Sequence, residues 1–257
     1  MIFMDSLGIM LAIVLPTILA TLGVAWWFRA SNLRARYLPD WEYSGRIEAI
    51  VWSIPTMTVL LLGGIGWIAS HALDPAVPIH SAAKPVRVEV VALDWKWLFI
   101  YPDQGIASVN RLVIPAATPI SFSITSSGVM NSFFVPSLGS QIYAMANMVT
   151  PLQLEADHPG TYQGLSAQFS GDGFSDMHFT VDAVPPRAFA EWAARTRGVG
   201  PTLNPSSYTE LAVPSENVSP STYGAVSSGL FGAIVGQHDM SPVLPTSAAA
   251  SEMKMEN

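Results

Sequence analysis

Residues 7–28, LGIMLAIVLPTILATLGVAWWF, carry no charged side chain, and neither do residues 49–69. Each run reaches the roughly 20 residues that an α-helix needs to cross about 30 Å of hydrocarbon. Pro16 and Pro55 lie inside these runs, as spanning helices tolerate. The sequence therefore predicts a membrane anchor over residues 1–70 with two transmembrane helices.

The composition agrees with lipid-solvated segments. Of 257 residues, 50% are hydrophobic and only 12% are charged, whereas soluble domains carry about 25% charged residues. The net charge of −7 without a basic patch argues against nucleic acid as a partner. The absence of cysteine excludes disulfides, thiolate metal sites and thiol catalysis on this chain.

The charges between the two runs predict the orientation of the anchor. Four arginines lie there against two carboxylates: Arg29, Arg34, Arg36 and Arg46 against Asp40 and Glu42. The positive-inside rule places this loop in the cytoplasm and both termini outside. A signal peptide is the alternative for the first run, but its positive charges would precede the apolar stretch. A short N-terminus outside would suit an upstream, processed segment, which the sequence leaves open.

The middle of the chain predicts an all-β domain over residues 86–184. Residues 71–85, with three prolines, predict an extended linker. Many short apolar or alternating runs then follow at near-regular spacing, separated by Gly, Pro and Asp, which is typical of a β-sandwich. The predicted strands are 86–91, 95–101, 111–114, 120–125, 141–146, 152–156, 161–169 and 177–181.

Residues 185–257 predict a short helix and an extended tail. The helix is expected over residues 187–195, with Pro186 in its first turn, as a brace packed on the sandwich. Beyond Gly198 the chain is rich in Ser, Pro, Thr, Gly and Ala, with one apolar stretch at 229–235. We expect this tail to be mostly irregular and to lie on the domain or on a partner.

Four separate segments resemble, in the same order along the chain, subunit II of the haem-copper oxidases: residues 93–102, 129–136, 139–145 and 160–164. Together they resemble the quinol-oxidising, cytochrome bo-type branch of this family. The resemblance extends from about residue 11 to 192. It implies two transmembrane helices followed by a cupredoxin-like sandwich on the periplasmic side of a bacterial inner membrane.

The resemblance also implies a function. The chain would be the non-catalytic subunit II of a proton-pumping ubiquinol oxidase that oxidises ubiquinol and reduces oxygen to water. Its partners would be membrane lipid, further small membrane subunits and subunit I, which would hold the haems and one copper. No cofactor is expected on this chain.

In the cytochrome c-oxidising branch this domain holds a binuclear copper centre. The resemblance aligns its early His with Asn131, its two cysteines with Ser166 and Ser170, its carbonyl ligand with Gln168, its late His with Phe174 and its Met with Met177. Such copper needs thiolates and imidazole, which hydroxyl, amide and phenyl groups do not replace. We expect vestigial copper-site positions, with Met177 in the core beside Phe179 and Val181 while His178 points away.

Glu48 lies at the cytoplasmic start of the second run, where a carboxylate is costly unless it has a function or a partner. The resemblance implies that it helps to form the entry of the K-type proton pathway of subunit I. An ordinary interfacial residue paired with Arg46 or another loop arginine is the alternative. The aromatic rings of Trp95 and Trp97, which match an electron-transfer patch of the cytochrome c branch, are expected to pack on the sandwich or on subunit I.

The histidines show no ligand spacing, so no metal site is predicted; they are His71, His80, His158, His178 and His238. The tail also holds weak metal donors, His238, Met240, Met253 and Met255. Two other functions compete with the leading one. The chain could be a copper-binding cytochrome c oxidase subunit II that carries electrons, or a membrane-tethered binding module unrelated to respiration.

Overall fold

A computed structural model of the chain describes residues 2–36, 38–79, 81 and 83–236. It divides the chain into two compact units, on either side of the bond between Asp74 and Pro75. His80 and the tail residues His238, Met240, Met253 and Met255 lie outside the described residues.

The first unit contains two long apolar helices, α1 (Ile2–Trp27) and α2 (Gly45–Ala72). Both are long and apolar enough to cross a membrane, with mean hydropathies of 2.4 and 1.7. They extend beyond the uncharged runs because Asp5 and Glu48 fall in their first turns, where the helix dipole favours a carboxylate. No described side chain of α2 is buried, so its apolar surface is free to meet lipid or a partner.

The second unit is a β-sandwich, as predicted. Its strands are β1 (Val86–Leu93), β2 (Lys96–Tyr101), β3 (Ile106–Val109), β4 (Arg111–Pro115), β5 (Ile120–Ser126), β6 (Asn131–Phe134), β7 (Ile142–Ala144), β8 (Thr150–Leu154), β9 (Gly160–Ser166), β10 (His178–Val184), β11 (Thr202–Leu203), β12 (Ser221–Tyr223) and β13 (Ala225–Val226). A 3-10 helix spans Asp172–Asp176, and three α-helices follow: α3 (Pro186–Thr196), α4 (Pro205–Ala212) and α5 (Leu230–Gly236).

Two sheets face each other. One has the order β12-β3-β2-β1-β5-β8 and the other β4-β10-β9-β6-β7, while β11 and β13 form a separate pair. Alternate residues of β1 and β2 point inward, and the core they form is rich in aromatic rings. Phe133 and Phe179 stack at 5.1 Å between centroids, and Trp97 meets the edge of Phe133 at 5.4 Å.

The predicted helix over 187–195 is confirmed as α3, with Pro186 in its first turn. Phe189 and Ala193 are buried in the sandwich core, and Trp192 packs on Tyr101 at 5.3 Å. The helix is therefore the expected brace on the β-domain.

The prediction of a mostly irregular tail was wrong for residues 202–236. This stretch forms α4, α5 and three short strands, and β12 extends the larger sheet by pairing with β3. Its apolar side chains, Leu203, Tyr208, Leu230 and Ile234, form a second core with the outward residues of β1, β2 and β3. The abundance of Ser, Pro and Gly led to the prediction of irregular structure. The segment nevertheless folds, because these few apolar side chains are enough to cover one face of the sheet.

Candidate functional site

The six aligned copper-site positions lie close together at one end of the sandwich. Asn131 begins β6 and Ser166 ends β9, and the register that pairs Phe133 with Ser166 makes them neighbours. The Ser166 hydroxyl lies 3.1 Å from Asn131 Oδ1 and 3.2 Å from the carbonyl oxygen of Gln168. Asn131 and Ser166 are both buried, so they satisfy each other where water has little access.

The remaining positions follow on the loop and the 3-10 helix. The Ser170 hydroxyl lies 4.0 Å from Met177 Sδ, and Met177 donates its backbone N–H to the Phe174 carbonyl at 3.2 Å. Met177 is 1% exposed and belongs to the aromatic core with Phe179 and Val181, as predicted, whereas His178 is exposed. The half-buried Phe174 ring packs on Phe169 at 5.6 Å between centroids. A phenyl ring offers no atom that could bind a metal beside Ser170.

These residues do not fit a binuclear copper centre. The hydroxyl oxygens of Ser166 and Ser170 are hard metal ligands, and both hydroxyls already form hydrogen bonds. The amide oxygen of Asn131 accepts the hydrogen bond from Ser166. Copper at such a site needs bridging thiolates and imidazole, and one thioether does not replace them. Across the described ranges, no three His, Cys, Asp or Glu side chains lie close enough to share a metal ion.

The two tryptophans of β2 and its preceding turn pack against the sandwich. Trp97 is fully buried in the aromatic core. Trp95, at a positive φ of 63°, lays its indole against Gly171 and Gly173 and donates Nε1–H to the Ser170 carbonyl at 3.1 Å. A side chain at residue 173 would overlap this indole, so glycine there lets Trp95 pack on the loop that holds Ser170.

Exposed apolar side chains surround these positions. The loops 127–130, 145–149 and 167–171 meet at this end because the register places Asn131 opposite Ala144 and Phe133 opposite Ser166. These loops and the adjoining strand β7 carry a surface that we call the loop-end patch: Val129, Met130, Tyr143, Met148, Val149 and Phe169. Clustered exposed apolar residues mark interaction surfaces more often than scattered ones do.

Glu48 lies in the first turn of α2 with an exposed side chain, and its backbone N–H bonds to the Ser44 carbonyl at 3.0 Å. The ion pairs among the described residues all lie in the second unit. The described residues include all four loop arginines, and none of these arginines forms an ion pair with Glu48 in the structure.

The sequence analysis did not identify one buried ionisable side chain, that of Lys96. Lys96 is 1% exposed, and its ammonium donates to the Val213 carbonyl at 2.8 Å and to Ser215 Oγ at 2.5 Å. Burial lowers the pKa of Lys96 from its ordinary value, with a smaller opposing effect of Asp94. Its position between two tryptophans of an otherwise apolar strand was the available signal.

Comparison with known proteins matches two family models to the chain. Residues 102–184 match the periplasmic domain of cytochrome c oxidase subunit II, and residues 198–238 match the aromatic-rich motif of the same oxidases. The second match coincides with the segment that covers the outer face of the larger sheet, as far as the structure describes it.

Curated relatives align over most of the chain. The cytochrome bo(3) ubiquinol oxidase subunit 2 of Pseudomonas aeruginosa is 49% identical over 90% of this chain and 70% of its own length. The ubiquinol oxidase subunit 2 of Acetobacter aceti is 49% identical over 96% and 84%, respectively. A partial structural likeness extends to the periplasmic domain of cytochrome oxidase subunit II of Bradyrhizobium japonicum, with a TM-score of 0.42 and 22% identity over 45% of this chain and 96% of that one. The chain belongs to the family of ubiquinol oxidase subunit 2, within the haem-copper oxidases.

Proposed function

We propose that this chain is a non-catalytic subunit of a proton-pumping oxidase, which supports a haem- and copper-bearing subunit I and leaves ubiquinol oxidation and oxygen reduction to that partner. The observation that carries this proposal is the buried cluster of Asn131, Ser166 and Ser170. The Ser166 hydroxyl bonds to the Asn131 amide and the Ser170 hydroxyl contacts Met177 Sδ, so the three side chains offer no soft donor pair for copper. Without metal, the domain has no electron acceptor of its own.

The loop-end patch and the apolar helices supply surfaces for the partner. Six large apolar side chains on one end of a folded domain are costly in water but favourable against a protein surface. The uncovered side chains of α1 and α2 suit lipid and neighbouring spanning helices alike. Both features support assembly with subunit I and with further small membrane subunits.

The proposal includes a proton-entry role for Glu48. Its carboxylate lies at a helix boundary, exposed and with no described cation within salt-bridge distance. A boundary carboxylate without an internal partner is a functional candidate. By the arginine content of the interhelical loop, this end of α2 would face the cytoplasm of a bacterial inner membrane, the side from which a K-type pathway takes protons, and the β-domain would be periplasmic.

The experiment is an optical spectrum and metal count of the complex that co-purifies with this chain. We expect haems and one copper per complex, ubiquinol-dependent oxygen uptake, and no near-infrared band from a binuclear copper. Two additional coppers with that band would instead identify a cytochrome c-linked electron carrier. Purification without any haem-bearing subunit would point to a tethered binding module.

A further inference from the structure

The first unit contains a cavity of about 590 Å³ at the loop end of its two helices. Its walls come from the end of α1, the start of α2 and the interhelical loop, and are lined by Val24, Phe28, Arg36, Leu38, Trp41 and Ile47. Five of these side chains are apolar and one is a guanidinium. The volume lies within the roughly 300–1,000 Å³ that is usual for small-molecule sites.

Arg36 differs from its neighbour Arg29. The Arg29 guanidinium stacks over Trp26 at 4.7 Å and bonds to the Trp26 carbonyl at 2.8 Å and to Ser31 Oγ at 3.0 Å. Arg36 has an exposed side chain and forms no ion pair with any described carboxylate. The cavity therefore presents an uncommitted cation beside an apolar wall.

In a bilayer that both helices span, as their length allows, the cavity would lie at the depth where acyl chains meet headgroups. The loop carries more arginines than carboxylates, so its field attracts anions to this boundary. Guanidinium groups bind phosphate oxygens in a bidentate manner, and basic pockets between spanning helices are typical sites for acidic lipid headgroups.

We infer that this cavity binds one anionic phospholipid, with the phosphate on Arg36 and part of an acyl chain against Phe28, Trp41 and Ile47. The inference depends on the membrane anchor alone and not on the oxidase role. An apolar wall without a cation would suit any lipid, and a cation without a cavity would attract headgroups only diffusely. The cation and the apolar wall together favour a lipid that has a net negative headgroup and an acyl chain to cover the wall.

The test uses the full chain, purified in detergent with its partners and exchanged to remove native lipid. Dioleoyl phosphatidylglycerol and dioleoyl phosphatidylcholine are added in mixed micelles, and bound lipid per chain is counted by native mass spectrometry. We expect one phosphatidylglycerol bound about tenfold or more tightly than phosphatidylcholine. Both lipids carry a phosphate, but the choline ammonium brings a positive charge beside the Arg36 guanidinium, whereas the glycerol headgroup leaves the phosphate charge uncompensated. Arg36→Gln should remove this preference and Arg36→Lys should restore part of it.

Arg34→Gln is the matched control, because Arg34 has the same charge and an exposed side chain but does not line the cavity. It should retain the preference. Equal losses in Arg34→Gln and Arg36→Gln would show diffuse attraction and overturn the site, as would a wild-type chain that does not distinguish the two lipids. Displacement of the bound lipid by excess inorganic phosphate would also contradict the part assigned to the apolar wall.

Discussion

The ammonium of Lys96 lies 2.8 Å from the carbonyl oxygen of Val213, although 117 residues separate the two in the chain. Lys96 begins β2, and Val213 follows the last residue of α4. The same loop is held a second time by Asn110, whose side chain donates to the Val218 carbonyl at 2.8 Å and accepts from the Trp97 N–H at 2.8 Å. The segment that follows then adds β12 to the sheet. The buried lysine thus fastens the C-terminal layer to the sandwich.

Replacement of Lys96 by methionine should release this loop. The substitution keeps the length of the side chain but leaves the Val213 carbonyl and the Ser215 hydroxyl without their donor, and such buried hydrogen bonds to a charged group contribute about 1.5–3 kcal/mol. We expect faster amide hydrogen exchange over residues 213–226 and faster proteolysis there, with little change in α3. Lys84→Met, at an exposed lysine, is the control, and equal protection in both variants would show that Lys96 does not fasten the layer.

The stability of the second unit should increase with pH in the window below the ordinary lysine value. Burial lowers the folded-state pKa of Lys96 from 10.5, so between the lowered value and 10.5 the unfolded chain binds a proton that the folded chain does not. The free energy of unfolding therefore increases with pH across that window and gains nothing further above it. The test compares the pH dependence of chemical unfolding of the wild type with that of Lys96→Met, which should lack this increase. Identical curves would contradict the lowered pKa.

Gly164 should be intolerant of even one methyl group. It lies on β9 directly opposite Phe179 on β10, and an added Cβ would overlap the Phe179 ring. That ring is 2% exposed and stacks on Phe133, so it cannot move aside without disturbing the aromatic core. Gly164→Ala should lower the free energy of unfolding by about 1–3 kcal/mol or more. Gly128→Ala, where a Cβ meets nothing within 4 Å, should change it by much less in the same denaturant titration.

The sequence predicted the parts of this fold whose signals are local. The two uncharged runs predicted α1 and α2, and alternation predicted most strands of the sandwich, because a half-buried strand repeats every two residues. It missed β3 and β6, two four-residue strands without polar and apolar alternation, since all of β3 and the first three residues of β6 are buried. It also missed the C-terminal layer, although Leu98 and Ile100 alternate with Trp97 and Phe99 and so indicated that β2 is covered on both faces.

For the candidate site, the residue types indicated that the aligned positions lack copper ligands. Which of these side chains contact one another became clear only from the structure. The contact between Ser166 and Asn131 joins residues 35 positions apart, which no local pattern specifies. The pairing of Lys96 with Val213 depends on a long-range return of the chain, so it could not be inferred from residue types. The copper-site alignment came from the family resemblance, and its vestigial character stays a prediction until metal is measured.

Substitution of Glu48 by glutamine should slow oxidase turnover while assembly is preserved. The side chain is exposed at the start of α2 and forms no ion pair with a described residue, so its loss should have little effect on the fold. The amide keeps the size of the group but cannot take up and release a proton. Oxygen uptake with ubiquinol, normalised to haem content, is the measurement. Glu42→Gln, in the same loop region, is the control, and unchanged turnover in Glu48→Gln would remove this residue from proton uptake.

The aligned positions should regain copper when their donors are replaced. The variant Asn131→His, Ser166→Cys, Ser170→Cys and Phe174→His supplies two thiolates and two imidazoles around Met177, a donor set that suits copper. Because Ser166 bonds to Asn131 and Ser170 contacts Met177, whose carbonyl accepts from the Ser166 N–H, these buried positions are already neighbours, and the new ligands need only small rearrangements, chiefly at the Phe174 position. We expect about two coppers per folded chain and a near-infrared band, against none for the wild type under the same loading. The two cysteine substitutions without the histidines should bind copper more weakly. A fully substituted variant that folds but takes up no copper would show that these positions do not correspond to a former metal site.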